Sequence, residues 1–134
     1  MPTIKRFEDL EVWQAARQTA GEIYRTTEVS VKKDWPIKDQ LRRASVSIMA
    51  NIAEGFDRRS RKDFIHFLTY ALSSVSEVKS HLYLAHDLGY FDRDSFESLM
   101  NQLESLSKRL NKLMKYLKTD KARRQPPNRE TGEQ

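Results

Sequence analysis

Two heptad-spaced apolar rows constrain this chain more than any other feature. Phe64, Leu68, Ala71, Val75, Val78, Leu82 and Ala85 alternate spacings of four and three, and Phe96, Leu99, Leu103, Leu106, Leu110, Leu113 and Leu117 repeat the pattern. Such a row lies on one face of an α-helix and must be covered by another element. A third row, Ile37, Leu41, Ala44, Ile48 and Ile52, predicts a helix with Pro36 in its first turn and a stop at Gly55. A fourth, Trp13, Ala16, Ala20, Ile23 and Tyr24, predicts a helix from an Asp9 N-cap to about Thr27. Ser60-x-x-Asp63 and Asp94-x-x-Glu97 mark the starts of the two heptad helices, and Gly89 ends the first of them. No alternating β-branched run reads as a strand.

Four amphipathic helices with short connections predict an all-α fold, an antiparallel up-down-up-down four-helix bundle over residues 1–120. A two-helix coiled-coil hairpin, with the first two helices draped elsewhere, is the alternative. The segment from Lys121 to Gln134 holds no apolar residue larger than Ala122 and two adjacent prolines, and it reads as a disordered basic and polar tail.

At 134 residues the chain is long enough for one core without staples, and with no cysteine it excludes disulfides and thiolate chemistry. The start, MPTIKRFEDLEVWQ, has no apolar run of signal-peptide length, and no window reaches a membrane span, so a cytoplasmic location is expected.

A polar row runs beside the apolar face of the second helix: Gln40, Arg43, Ser47, Asn51 and Glu54. Covered polar groups need partners, so the row is expected to bond to neighbouring helices or subunits and fix register, with Arg42 and Arg43 as partners of Asn51 and Glu54. Lining a pore or holding a ligand is the functional alternative. The third helix also carries more large apolar side chains than one stripe needs. Ile65, Phe67, Leu72, Tyr83 and Leu84 lie off the seam, and Trp35, Phe56, Tyr90 and Phe91 fall near helix ends. These mark either a wide core or an oligomer interface.

The stretch QLRRASVSIMANIAEG, Gln40 to Gly55, resembles the four-helix-bundle proteins encoded in intervening sequences of bacterial 23S ribosomal RNA genes. Phe7-x-Asp9-Leu10-x-Val12-Trp13-Gln14 resembles the opening of that family. Ser60, Phe64, Phe67, Leu68, Ala71, Ser74 and Glu77 resemble its third helix, and Leu88-Gly89-Tyr90 the turn after it. The resemblance covers about residues 7–117; Met49, Pro36 and Ser73 depart from the usual proline, glycine and glycine. It implies a closed bundle that assembles into a ring, most often a homopentamer, with no known catalytic activity; no cofactor is expected. A related branch, the accessory proteins of diversity-generating retroelements, binds a reverse transcriptase and nucleic acid, which makes a reverse transcriptase a possible partner.

Net charge is +5, and up-down topology would gather most of the excess at one end. There stand Arg58, Arg59, Arg61, Lys62, Lys115, Lys118 and Lys121, the expected nucleic-acid contacts, with Lys5, Arg6, Arg123 and Arg124 beside them. Lysines at the end of the last helix complement its dipole; the run RRSRK at the start of the third does not, and phosphate binding is the explanation it suggests. Base-reading motifs and the aromatic platforms of single-strand binders are not evident in the sequence. The competing class is a protein adaptor that never touches nucleic acid. Arg61-x-x-x-x-His66 matches the bare spacing of HEPN-type helical ribonucleases, a remote third reading. No Glu-x-x-His pair supports a di-metal bundle, and no metal site is expected.

Overall fold

The computed structural model describes residues 4–119. These form a short 3₁₀ turn, Phe7–Asp9, and four helices: α1 (Glu11–Ser30), α2 (Trp35–Asp57), α3 (Arg61–Asp87) and α4 (Arg93–Leu117). No strand occurs among the described residues. No helix of theirs is long and apolar enough to cross a membrane. The tail from Lys121 onward lies outside the described residues.

Local chemistry sets each boundary. Asp9 is not the cap of α1: it belongs to the 3₁₀ turn, whose bond from Leu10 N to Phe7 O (3.0 Å) leaves Leu10 at the N-cap, with no side-chain capping bond. The helix also runs past Thr27 to Ser30. Thr27 is fully buried, and its hydroxyl donates to Ile23 O at 2.6 Å while its own carbonyl accepts from Val31 N. Asp34 caps α2 through Ile37 N (3.3 Å), with Pro36 in the first turn, and Ser60 caps α3 through Asp63 N (3.2 Å). At α4 the cap is Asp92, which accepts from Ser95 N at 2.7 Å, rather than Asp94 two residues on. Hydrogen bonds from the Ser95 backbone and side chain hold the Asp92 carboxyl below its ordinary pKa.

The two expected glycine stops have different fates. Gly89 has φ +80° and ends α3, with Gly89 N bonded to His86 O (2.9 Å) and Tyr90 N to Ala85 O (3.0 Å), the bond pair of a left-handed helix stop. Gly55 stops nothing. It is buried inside α2, where an added Cβ would stand 2.6 Å from Phe67 Cβ. It is glycine because α3 passes too close for a side chain, not because the backbone turns.

Every predicted core position of α2 and α3 is buried, as are Leu99, Leu103, Leu106 and Leu110 of α4; Leu113 and Leu117 are only half covered near its end. Tyr24 is the exception on α1: at 43% exposed it faces outward, while Trp13, Ala16, Ala20 and Ile23 are buried. In sequence order each helix packs on the next, and α1 also packs on α4, so one core is shared by all four helices. The hairpin alternative is thereby set aside. Cross-helix bonds agree in order: Ser74–Ser47 between α3 and α2, Lys79–Glu104 between α3 and α4, and Tyr90–Asp34 between the two loops. These pairings are compatible with the up-down-up-down order that the sequence predicts.

Candidate nucleic-acid and assembly surfaces

The RRSRK turn divides between two helices. Arg58 is the C-cap of α2, and its Nε donates to Glu54 Oε2 at 3.0 Å while its guanidinium lies 4.9 Å from the Phe67 ring centroid. A cation at the end of α2 is favourable to that helix dipole, so dipole compensation does account for Arg58, contrary to expectation. Arg59 follows with φ +60°, the one positive φ outside glycine among the described residues. Arg61 and Lys62 are exposed in the first turn of α3, where cations oppose the dipole, and neither makes an ion pair among the described residues. Lys115 and Lys118 are exposed at the end of α4. Lys121, Arg123 and Arg124 lie outside the described residues.

The polar row of α2 is shallower than its sequence suggests. Gln40, Arg43 and Glu54 are exposed, and Ser47 and Asn51 are half-buried. Arg43 pairs with Asp39 (2.8 Å) and Glu54 with Arg58 (3.0 Å), each one turn away on the same helix. Asn51 Nδ2 donates to Ser47 O (2.9 Å) and Ser47 Oγ (3.0 Å), and Ser74 Oγ donates to Ser47 Oγ (2.9 Å). Thus Asn51, Ser47 and Ser74 form one hydrogen-bonded chain across α2 and α3. Neither Arg42 nor Arg43 reaches Asn51 or Glu54. Arg42 points to α1, because nine residues of helix carry it two and a half turns from Asn51 to the opposite side.

The off-seam apolar residues also divide. Ile65, Phe67 and Leu72 are half-buried, whereas Tyr83 (54%) and Leu84 (50%) stay open. Phe56 and Phe91 are core, Tyr90 is half-buried, and Trp35 is 64% exposed. His66, Phe67 and Tyr70 form an edge-to-face aromatic cluster, with His66 Nε2 and Tyr70 Oη 2.7 Å apart. His66 Nε2 is thus engaged by Tyr70. Among the described residues no group of three His, Cys, Asp or Glu is placed to hold a metal ion.

One corner carries a constellation that spacing along the chain does not reveal. Arg42 ties α2 to the end of α1, donating from Nε to Thr27 Oγ1 (3.0 Å) and from Nη2 to Tyr24 O (3.1 Å) and Glu28 Oε1 (3.0 Å). The Nζ of Lys38, itself only 4% exposed, stands 3.5 Å from the same Glu28 oxygen. The Arg42 bond, reinforced by Lys38, holds the Glu28 carboxyl below its ordinary pKa. Each cation also covers an aromatic ring: Arg42 lies 4.5 Å from the Tyr24 centroid and Lys38 4.6 Å from that of Trp35. The available signal in the sequence is weak, an i,i+4 pair of cations following a Trp.

The comparisons with known proteins agree with the fold. The model of the 23S rRNA-intervening sequence protein family matches residues 8–112. A crystal structure at 1.70 Å of a protein with unknown function from the S23 ribosomal protein family of Bacteroides thetaiotaomicron VPI-5482 superposes with a TM-score of 0.70. The two chains are 31% identical over 81% of this chain and 99% of that one. No curated protein matches the chain. With the family match spanning most of the helical core and the same fold in a relative of this identity, the chain belongs to the 23S rRNA-intervening sequence protein family.

Proposed function

We propose that the protein is a non-enzymatic, self-associating antiparallel four-helix bundle, a ring-shaped homo-oligomer (a homopentamer by family resemblance), whose basic end binds RNA or DNA through the phosphate backbone. The observation that carries self-association is the outer stripe of α3. His66 and Tyr70 near its start, and Leu84 and the C-cap Leu88 at its end, lie on one face away from the buried row, with the exposed Ser73 and Glu77 between the two pairs. Tyr70 is 45%, Leu84 50% and Leu88 51% exposed. Single exposed apolar residues are ordinary, but large ones aligned along one helix mark a contact surface.

Nucleic-acid binding is supported by Arg61 and Lys62, exposed cations placed against the dipole of their own helix. In up-down order, Lys115 and Lys118 join them at the same end of the bundle. A ring repeats that patch on every subunit, which multiplies a weak contact by avidity.

Light scattering after gel filtration tests assembly: the mass should be several times 15.8 kDa. Leu84→Glu combined with Leu88→Glu should reduce it toward one chain without loss of helix. A wild-type monomer at micromolar concentration, or a full-size double variant, removes this reading. Neutralising Arg58, Arg59, Arg61 and Lys62 should abolish a gel shift at physiological salt. It should also flatten log K against log salt by roughly 0.7–0.9 per phosphate that is no longer neutralised. No shift by wild type at low salt would favour a protein adaptor.

A further inference from the structure

The corner between α1 and α2 lies about 34 Å along α2 from the RRSRK turn, as 23 residues of helix require. There the order ring, cation, carboxylate, cation, ring runs through Trp35, Lys38, Glu28, Arg42 and Tyr24. Each ring is held by a cation that is itself fixed to Glu28, yet both rings remain open, Trp35 at 64% and Tyr24 at 43% exposed. Holding the helices together does not require open rings. Arg42 already ties α1 to α2 through Thr27, Tyr24 O and Glu28, and Asp34 already caps α2.

The charge around the rings selects among occupants. Each nearby carboxylate is engaged within the chain: Glu28 by Arg42 and Lys38, Glu22 by Arg25, Asp39 by Arg43, and Asp34 by Tyr90 and the cap of α2. Lys32 and Lys33, in the connection that leads to Trp35, are exposed and make no ion pair among the described residues. The uncommitted charge here is positive, and self-association is already assigned to the outer face of α3, so an anionic partner is the complement of this corner. Open aromatic faces amid free cations suit an anionic partner with flat apolar groups. Unpaired nucleotides have that chemistry, the base stacking on a ring and the phosphate meeting lysine.

We propose that Trp35 and Tyr24 form a stacking platform for unpaired bases of single-stranded RNA or DNA, with Lys32 and Lys33 at the phosphates. This deepens the nucleic-acid reading above by adding a base-contacting surface at the end remote from the basic turn, and the two can fail separately.

Tryptophan emission tests it directly, because the chain has two tryptophans and Trp13 is only 9% exposed. Short uridine RNA and thymidine DNA homopolymers should each quench the emission saturably if the platform accepts both sugars; quenching by one alone assigns the platform to that nucleic acid. A duplex of equal length should quench far less. Trp35→Phe should remove the quench yet keep most of the affinity, measured by anisotropy of a labelled strand. Trp35→Ala should weaken affinity by about fivefold to 150-fold, the loss of roughly 1–3 kcal/mol typical of one stacked base. The variant neutralised at Arg58, Arg59, Arg61 and Lys62 should still quench at low salt, which separates this platform from the basic turn. The proposal is overturned if neither homopolymer quenches at low salt, if the duplex quenches equally, or if Trp35→Ala binds like wild type. Blue-shifted emission that acrylamide cannot quench in the free protein would also overturn it, since Trp35 would then be covered by another copy.

Discussion

Replacing Gly55 by alanine should destabilise the protein, against the ordinary rule for helices. In an open helix interior the change from Gly to Ala gains about 1 kcal/mol, because alanine loses less backbone entropy. Here the new Cβ would stand 2.6 Å from Phe67 Cβ and 3.2 Å from Phe64 Cδ1, where ordinary contact begins at 3.4 Å. The Phe67 Cβ is fixed to the α3 backbone, so no rotamer change relieves the overlap. Relief requires α2 and α3 to part by about 1 Å, which loosens the close-packed atoms along their contact. Overpacking of this kind costs roughly 1–3 kcal/mol and occasionally more, and a backbone-fixed clash belongs at the upper end. After the propensity gain the net loss should be about 2 kcal/mol. At about 4 °C per kcal/mol for a domain of this size, the melting temperature should fall by about 8 °C.

Gly21→Ala is the internal control. The nearest atoms to its Cβ would be those at the end of the flexible Arg25 side chain, from 3.2 Å, so the propensity gain should survive and raise the melting temperature by up to about 4 °C. Circular dichroism melts of both variants should be run at one protein concentration, because association shifts apparent stability. If Gly55→Ala melts at or above wild type, the close approach of α3 does not explain this glycine.

The α2 polar row gives a second test. Glu54→Ala removes an exposed one-turn ion pair and should cost no more than about 0.5 kcal/mol within a chain, so any larger fall, or a change in oligomer mass, locates Glu54 at a subunit contact. Asn51→Leu deletes the bonds to Ser47 and should cost about 1 kcal/mol; wild-type stability and mass in both variants would remove the structural role. Acid should destabilise the fold through Asp92, Glu28 and Glu104, whose carboxyls are held down by the Ser95 cap, by Arg42 with Lys38, and by Lys79 respectively. Their contribution is fully present above the unfolded values, 4.5 for the two glutamates and 3.8 for Asp92, and is lost as pH falls through the lower folded values, so urea midpoints should drop in that window and less so for Lys79→Met. Tyr90 runs the other way: its bond to Asp34 raises the phenol above 10.0, so its contribution is present below that pH and is lost as pH rises through the folded value, a loss that Tyr90→Phe should not show.

Sequence alone determined the four helices, their buried rows apart from Tyr24 and the end of α4, the Ser60 and Pro36 starts and the Gly89 stop. Each depends on spacing or on a capping group within four residues, and such information is written along the chain. What passes between helices was not legible. Gly55 looked like a helix stop because a glycine after an apolar row has two physical explanations, backbone freedom and close approach, and only the position of Phe67 chooses between them. Arg42 sits beside the polar row in sequence, but its angle about the α2 axis sends it to Tyr24, Thr27 and Glu28. Asn51 gained its link to α3 through Ser47 and Ser74, residues 27 apart in the chain. The link between Trp35 and Tyr24 was invisible for the same reason: neither residue is unusual alone, and the carboxylate that joins their two cations belongs to another helix. Helical periodicity fixes which side of a helix is apolar, whereas the rotation and separation of packed helices decide which polar and aromatic groups meet.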